Sequence, residues 1–580
     1  MDDKRRAAVT ALIGLGIMQH AHSMTIGKDG QSREPQPQEQ LEDYAKLRAY
    51  SGSANCIHVI GTMSPPPGIG GRFIRDPHDA SSIDNGGTII VSTSGVRWKR
   101  IFSGALNVRW FGAKGDGVSD DTAASQAMAD AAVRDPARPI PMYYPSGIYK
   151  HSGDIVINSR DSNITSMNPA QLLIFGDSGR GDANAEKCGT TIHFASGRGT
   201  ILRICEEEDG AYPGGGLSNV VRPLSYLRSI VVRDINFAGN SNDPMAVNGI
   251  TGRGIFASVV ERCGFINLNY GLRFGKAEHN IAAEASKIEG ISIDYCERNR
   301  ISNCSFRNVQ YQIHIINPDI TVIEGNMLSG TVNARGHLIY WAGGNDFLDI
   351  RNNIFHPVVF RTSEEIEKAI VFFSVRGVDF HDNHCEYVSS DFFFGSGIEY
   401  LRARSNLFTA KTAPVQVFNL AAASHAIIDI DGNSIAMPQP RAFFIKILVP
   451  GDDSNFTKLR TVKTFYSQNR AVSSLGGETP IDIRSNIEKI KILSEKLSHP
   501  NKIGTIYVWA DINNKLRLKP IAAGRIESDL DGLALQTDAN GPTVNRPKTT
   551  NKGEMYFDTS LGKPVWWNGK AWTDALGNPA

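Results

Sequence analysis

NVRWFGAKGDGVSDDTAASQAMADAA, residues Asn107–Ala132, is the stretch that decides how this chain is read. An apolar run closes at Phe111-Gly112-Ala113. Gly115-Asp116-Gly117 then forms a tight turn, which needs residues that tolerate positive φ. Asp120 and Asp121 stand where side-chain oxygens accept the free amides of a first helical turn, and their charge suits that helix end. Ala124, Met128 and Ala131 fall on one helical face. The stretch predicts a short strand, a Gly-rich turn and an amphipathic helix. Its aspartates are explained by turn and cap rather than by chemistry.

The whole chain has 580 residues, 41% of them hydrophobic and 21% charged, a globular rather than a disordered composition. With a formal net charge of +1 there is no basic excess to neutralise phosphates, so nucleic acid is not an expected partner. Frequent Asn and Gly between short β-branched runs predict many short strands and tight turns. The seven cysteines (56, 188, 205, 263, 296, 304 and 385) include no C-x-x-C pair and read as small buried hydrophobes. Lys4-Arg5-Arg6, the apolar run Ala7–Ile17 and Ala21-His22-Ser23 read either as a secretory or twin-arginine signal or as a non-exported segment, with Met24 as an alternative start. The run is too short to span a membrane.

Organisation changes along the chain. Gln31–Gln40 (QSREPQPQEQ) is a polar, Pro-containing linker. Strand-like runs follow at Cys56–Gly61, Gly71–Arg75, Gly87–Ser92 and Val96–Phe102. From about residue 230 a degenerate repeat places a small or Asn turn residue two positions before an apolar one. Its anchors are Cys263, Cys304, Asn326, Asn353, Asn383, Asn406 and Asn433, at spacings of 41, 22, 27, 30, 23 and 27. Strand-turn-strand units of this period predict a β-solenoid. Past residue 440 the pattern stops, with strands expected at Phe443–Val449, Ile503–Trp509 and Leu516–Pro520 in a different domain and a helix at Ile483–Leu497.

The opening stretch resembles the start of the pectate-lyase-like right-handed parallel β-helix family, where the helix plugs the N-terminal end of the solenoid. Leu47–Gly104, with Asp84-Asn85-Gly86-Gly87-Thr88 and Arg97-Trp98-Lys99-Arg100, resembles the small β-rich neck of phage tailspikes. Gly553–Ala575, GEMYFDTSLGKPVWWNGKAWTDA, resembles the closing module of phage tail fibres, read as a hairpin with Trp566, Trp567 and Trp572 supplying apolar area. The resemblance implies an N-terminal segment (1–40), a neck (41–105), a β-helix body (106–440), a β-rich trimerisation or carbohydrate-binding domain (441–545) and a tip (546–580). It also implies a homotrimer on a virion tail, attached to a phage tail or baseplate protein. Such a spike binds and depolymerises a bacterial capsular or other surface polysaccharide without a cofactor. A non-catalytic receptor-binding spike and a secreted bacterial polysaccharide lyase are the alternatives.

The repeat also predicts where chemistry could sit. Three and five residues before each anchor the chain is mostly apolar, so those positions face the core and the positions two and four before it face out. The inner outward column is Glu261, Ser302, Glu324, Arg351, His381, Arg404 and Asp431. The outer column is Val259, Arg300, Val322, Asp349, Asp379, Arg402 and Asp429. With neighbouring rungs ~4.8 Å apart, Glu324, Asp349, Asp379 and His381 share one patch and are the catalytic candidates. Arg351, Arg402, Arg404 and Glu386 are the candidates to hold substrate. Adjacent carboxylates favour one protonated acid beside one ionised base or nucleophile, as glycosidic cleavage requires. His381, His384 and Glu386 flank a turn without H-E-x-x-H spacing, so no metal is expected.

Overall fold

The structure is a computed structural model that describes residues 39–61, 70–157, 171–179, 189–204, 229–275, 296–356, 369–409, 417–436, 540–546 and 555–574, with breaks of at most five residues inside these ranges. It adds separate strands at Thr25–Ile26, Ser32–Arg33, Phe443–Leu448, Lys458–Ser467, Thr505–Ala510 and Leu516–Ile521. The signal-like run and the expected helix Ile483–Leu497 lie outside the described residues.

A five-stranded sheet comes first, in the spatial order Glu39–Leu41, Cys56–Val59, Gly71–Asp76, Arg97–Ile101, Ile89–Val91. It starts inside the stretch read as linker, because Glu39–Leu41 pairs in parallel with Ile57–Val59. The remaining pairs are antiparallel. Ile57, Val59, Phe73, Ile90 and Trp98 close its core against Leu47 of the helix Tyr44–Ala49. The Asp84–Thr88 turn is held from both sides. Arg48 grips Asp84 through two 2.8 Å hydrogen bonds, and the Asn85 Oδ1 accepts the amides of Gly87, Thr88 and Ile89.

The body is a right-handed parallel β-helix with three faces, A, B and C. Its first rung is the opening stretch. Leu106–Asn107 starts face A and Asp116–Asp120 starts face B, pairing with Met142–Tyr143 and with Ile148–Lys150, and Ile155–Ile157 starts face C, pairing with Leu202–Ile204. Gly115 and Gly117 both take positive φ, as the turn requires. The helix Thr122–Ala132 lays Met128 and Ala129, both fully buried, onto the end of the solenoid core. One cap differs from expectation. The Asp120 side chain accepts the Thr122 amide at 3.0 Å, but that of Asp121 makes no cap bond to the helix. It turns back into the core and accepts the amides of Lys114 and Gly115 at 2.7 and 2.9 Å. Two converging N–H groups hold a buried carboxylate better than a helix end that Asp120 already serves.

The repeat anchors make a buried column at the corner between faces A and B. Each Asn from 326 to 406 donates its Nδ2 to the Oδ1 of the next anchor, along Asn326, Asn353, Asn383, Asn406 and Asn433, at 2.8–3.0 Å. Each Oδ1 in turn accepts the backbone amide of the anchor before it, beginning with the Cys304 amide at 2.9 Å. The ladder is extended by Cys304 and Cys263, whose Sγ atoms face carbonyls at 3.4–3.6 Å. The residue before each of the first six anchors (Arg262, Asn303, Gly325, Asn352, Asp382 and Ser405) has φ between 51 and 64°. That left-handed residue turns the chain sharply while the side-chain amides satisfy the corner's backbone. Leu348, Ile350, Val378, Phe380, Leu401 and Ala403 are fully buried, as the alternation predicts. Two residues past the anchors, Phe265 and Phe306 stack at 4.8 Å above Phe237.

Parallel pairing does not stop at residue 440. Phe443–Leu448 adds to face C against Phe418–Ala421, and Lys458–Ser467 pairs with Ile427–Ile435. The strand expected to open a separate domain is therefore a further rung. Two antiparallel strands, Thr505–Ala510 and Leu516–Ile521, then extend face C. The chain ends in a small four-stranded sheet whose core is Tyr556, Val565 and Trp572, with Trp567 packed at 5.6 Å from Trp572.

Candidate functional site

The two outward columns read from the repeat coincide with the strand register on face A. Glu261 stands beside Ser302, then Glu324, Arg351, His381, Arg404 and Asp431. Val259, Arg300, Val322, Asp349, Asp379, Arg402 and Asp429 follow in the second column. Buried apolar neighbours on either side force this placement, because a one-residue slip would turn Ile350 and Phe380 outward.

Arg351 organises the upper part of the patch. Its Nε and Nη2 donate to Glu324 Oε2 at 2.9 and 2.7 Å, and its Nη1 donates to Asp349. Arg300 takes the other oxygen of Glu324. Burial pushes the Glu324 carboxyl up, but these two guanidiniums outweigh it and hold the group below its ordinary value. The hydrogen bonds to Glu324 raise Arg351 in turn. Glu324 is thus a fixed anion that positions Arg351.

Asp349 and Asp379 are direct neighbours across two rungs. Asp349 carries Arg351 on one oxygen and has His381 Nε2 3.2 Å from the other. The opposite ring nitrogen of His381 lies 2.7 Å from Asp382 Oδ2. Asp379 is held more loosely. Its Oδ2 lies 3.5 Å from Arg404 and 4.0 Å from Arg402. Its Oδ1 is occluded and has no hydrogen-bond partner among the described residues.

Glu386 is not part of this patch. It lies past the Asn383 corner, where it bonds His356 on the neighbouring rung and stands 3.6 Å from His384. Two partners were missed in the sequence. Asp382 looks like a turn residue in the sequence although it borders His381, and the outer-column position of Arg300 does not by itself show its pairing with Glu324. Among the described residues no group of three His, Cys, Asp or Glu side chains is arranged to hold a metal ion. No described helix is long and apolar enough to cross a membrane.

Residues 40–103 match the family described as phage tail protein small four-stranded beta-sheet domain. Residues 105–195 match rhamnogalacturonase A/epimerase, pectate lyase-like. Over 63 residues the chain is 46% identical to the Mu-like prophage FluMu defective tail fiber protein of Haemophilus influenzae, covering 11% of this chain and 10% of that one. The tailspike protein of Acinetobacter phage vB_ApiP_P1 is similar at 13% identity and a TM-score of 0.45, over 71% of this chain and 66% of that one. The enzymatically active domain of tailspike protein 2 of bacteriophage CBA120 is similar at 13% identity and a TM-score of 0.42, over 74% and 55%. The chain spans less than two thirds of the length of each of these proteins. Along the sequence, the match to a phage-tail β-sheet domain is followed directly by the match to a pectate-lyase-like domain.

Proposed function

We propose that the protein is a phage or prophage tailspike that binds and depolymerises a bacterial capsular or other surface polysaccharide, by glycoside hydrolysis at face A. The observation that carries the reading is the unequal pair Asp349 and Asp379. Asp349 is held between the Arg351 guanidinium and the His381 imidazole, which orient its carboxyl group. Asp379 has only longer contacts, its Oδ2 lying 3.5 Å from Arg404 and 4.0 Å from Arg402, and its Oδ1 has no hydrogen-bond partner among the described residues. Their rungs are ~4.8 Å apart, close to the separation of about 5–5.5 Å that lets a second carboxylate act as nucleophile. In that mechanism Asp379 protonates the leaving oxygen while Asp349 forms a glycosyl ester. Water then attacks the ester, gives a proton back to Asp379 and frees Asp349. Glu324 and Arg351 fix the geometry, and Arg402 and Arg404 hold anionic or hydroxyl groups of the sugar. The expected working form is a homotrimer on a virion tail, joined to a tail or baseplate protein.

The ion pairs of Arg351 and Arg404 favour a second reading, in which the patch only recognises glycan and does not cleave it. The two are separated by incubating the protein with a panel of purified capsular polysaccharides and analysing the products by mass spectrometry. New reducing ends support hydrolysis and unsaturated uronate ends support a lyase. Loss of at least a hundredfold in rate is expected for Asp349→Asn and for Asp379→Asn. Unchanged cleavage by both variants would remove them as catalytic residues.

A further inference from the structure

Past the asparagine corner the repeat carries a further outward column, on face B. Phe306, Leu328, Phe355 and Cys385 are fully buried, so the residue after each points outward. Those residues are Arg307, Ser329, His356 and Glu386, on successive rungs. Arg307 pairs in register with Ser329, and Ser329 with His356. Glu386 follows Cys385, the register partner of Phe355, and its amide bonds Phe355 O at 2.7 Å.

The His356 Nδ1 lies 2.5 Å from Glu386 Oε2, and the Tyr387 ring packs edge-on against the imidazole with centroids 4.8 Å apart. These contacts fix the ring and leave Nε2 on the edge turned away from Glu386. Among the described residues Nε2 makes no hydrogen bond. Ser329 is the next residue on that side, ~4.8 Å along the solenoid axis. Its Oγ donates to Phe306 O at 3.0 Å, and rotation about one side-chain bond swings it toward the His356 rung. Beyond Ser329 lies Arg307, exposed and with no ion pair or hydrogen bond among the described residues. Met327 and Ile354, 44% and 41% exposed, line the neighbouring column.

The His356 and Glu386 side chains are 27% and 30% exposed, where such a pair adds little to stability. Their order with Ser329 has a chemical use instead. Hydroxyl, imidazole and carboxylate in sequence activate a serine toward an acyl carbon. A guanidinium beside the hydroxyl suits the oxyanion that then forms. A glycosidic bond offers no carbonyl to this nucleophile. An ester does, and the apolar side chains of Met327 and Ile354 fit a short acyl tail.

We infer that Ser329, His356, Glu386 and Arg307 form a second site, which hydrolyses short-chain O-acyl esters. The Ser329 Oγ attacks the carbonyl carbon while its proton passes to His356 Nε2. The bond from that carbon to the alcohol oxygen breaks, and the oxygen takes the proton from Nε2. Water attacks the acyl-serine by the same route, releasing the carboxylic acid and restoring the hydroxyl. Glu386 is a positioning residue that acts through His356. That the ester is an O-acetyl group of a surface polysaccharide rests on the proposed function, whereas the ester chemistry itself does not.

The test treats the full-length protein with a fluorophosphonate probe and maps the modified peptide by mass spectrometry. Labelling of Ser329 is expected, and no label or a label on another residue overturns the site. Hydrolysis of para-nitrophenyl acetate should fall about a hundredfold or more in Ser329→Ala and in His356→Ala. Rates equal to the wild type in Ser329→Ala would overturn the nucleophile. Glu386→Gln should lower kcat about tenfold or more with KM unchanged, a split that a merely structural role would not give. A second arm follows acetate release from O-acetylated capsular polysaccharides by proton NMR. Acetate released by the wild type and not by Ser329→Ala supports the glycan ester as substrate. Acetate released without any new chain ends keeps the face B site and overturns cleavage at face A.

Discussion

Asn353→Ala removes one rung of the buried amide ladder and gives the most direct measure of what holds the solenoid together. The Asn353 Nδ2 donates to Ile323 O at 2.9 Å and to Asn383 Oδ1 at 3.0 Å. Its Oδ1 accepts from the Asn326 amide and from the Asn326 Nδ2, both at 3.0 Å. Truncation therefore breaks four hydrogen bonds where the residue is 1% exposed. At ~1 kcal/mol for each bond, and more where a buried group is left unsatisfied, the expected loss is about 4 kcal/mol or more. The neighbouring Asn352 is the control. It holds φ at 54° on the chain's outer side, so Asn352→Gly relieves backbone strain and should leave stability within ~1 kcal/mol of the wild type. The assay is guanidinium unfolding followed by far-UV circular dichroism. If unfolding is irreversible, unfolding rates at one denaturant concentration replace free energies. A loss below ~1 kcal/mol for Asn353→Ala, or equal losses for the two variants, would refute the view that the side-chain ladder rather than the backbone pairing fixes the corner.

Two further outcomes follow from buried groups near the start of the solenoid. His151 is fully buried, with Nε2 2.9 Å from Ser125 Oγ, and burial pulls its pKa down to about 4. The unfolded chain, near 6.5, binds more protons between these values, so stability is complete above pH ~6.5 and falls by up to about 3 kcal/mol on acidification toward pH 4. His314, pushed down to about 3 chiefly by burial, acts in the same direction. Melting temperatures recorded from pH 7 to 4.5 should fall less steeply in His151→Gln, and an unchanged slope would contradict the assignment. Asp121→Ala should cost roughly 2 kcal/mol by leaving the part-buried amides of Lys114 and Gly115 without this acceptor. Hydrogen exchange should then rise first at those two amides, and exchange confined to the helix Thr122–Ala132 would point back to a capping role.

The sequence by itself determined the fold class, the direction of the rungs and the composition of both outward columns. It could do so because strand alternation has a period of two and each rung ends on the same turn chemistry. Cys263, Cys304 and the asparagines 326 to 433 had to be small or amide-bearing to satisfy a buried corner, and that need is visible as a spacing. Only the tertiary structure decided which side chains meet. That Arg300 and Arg351 together grip Glu324, that Asp379 Oδ1 has no hydrogen-bond partner among the described residues, and that Glu386 bonds His356 around the corner depend on rotamers and on where faces A and B turn. The rungs past residue 440 were hidden for a related reason. There, parallel pairing continues beyond the last asparagine anchor, so the backbone ladder persists after its sequence signature has ended.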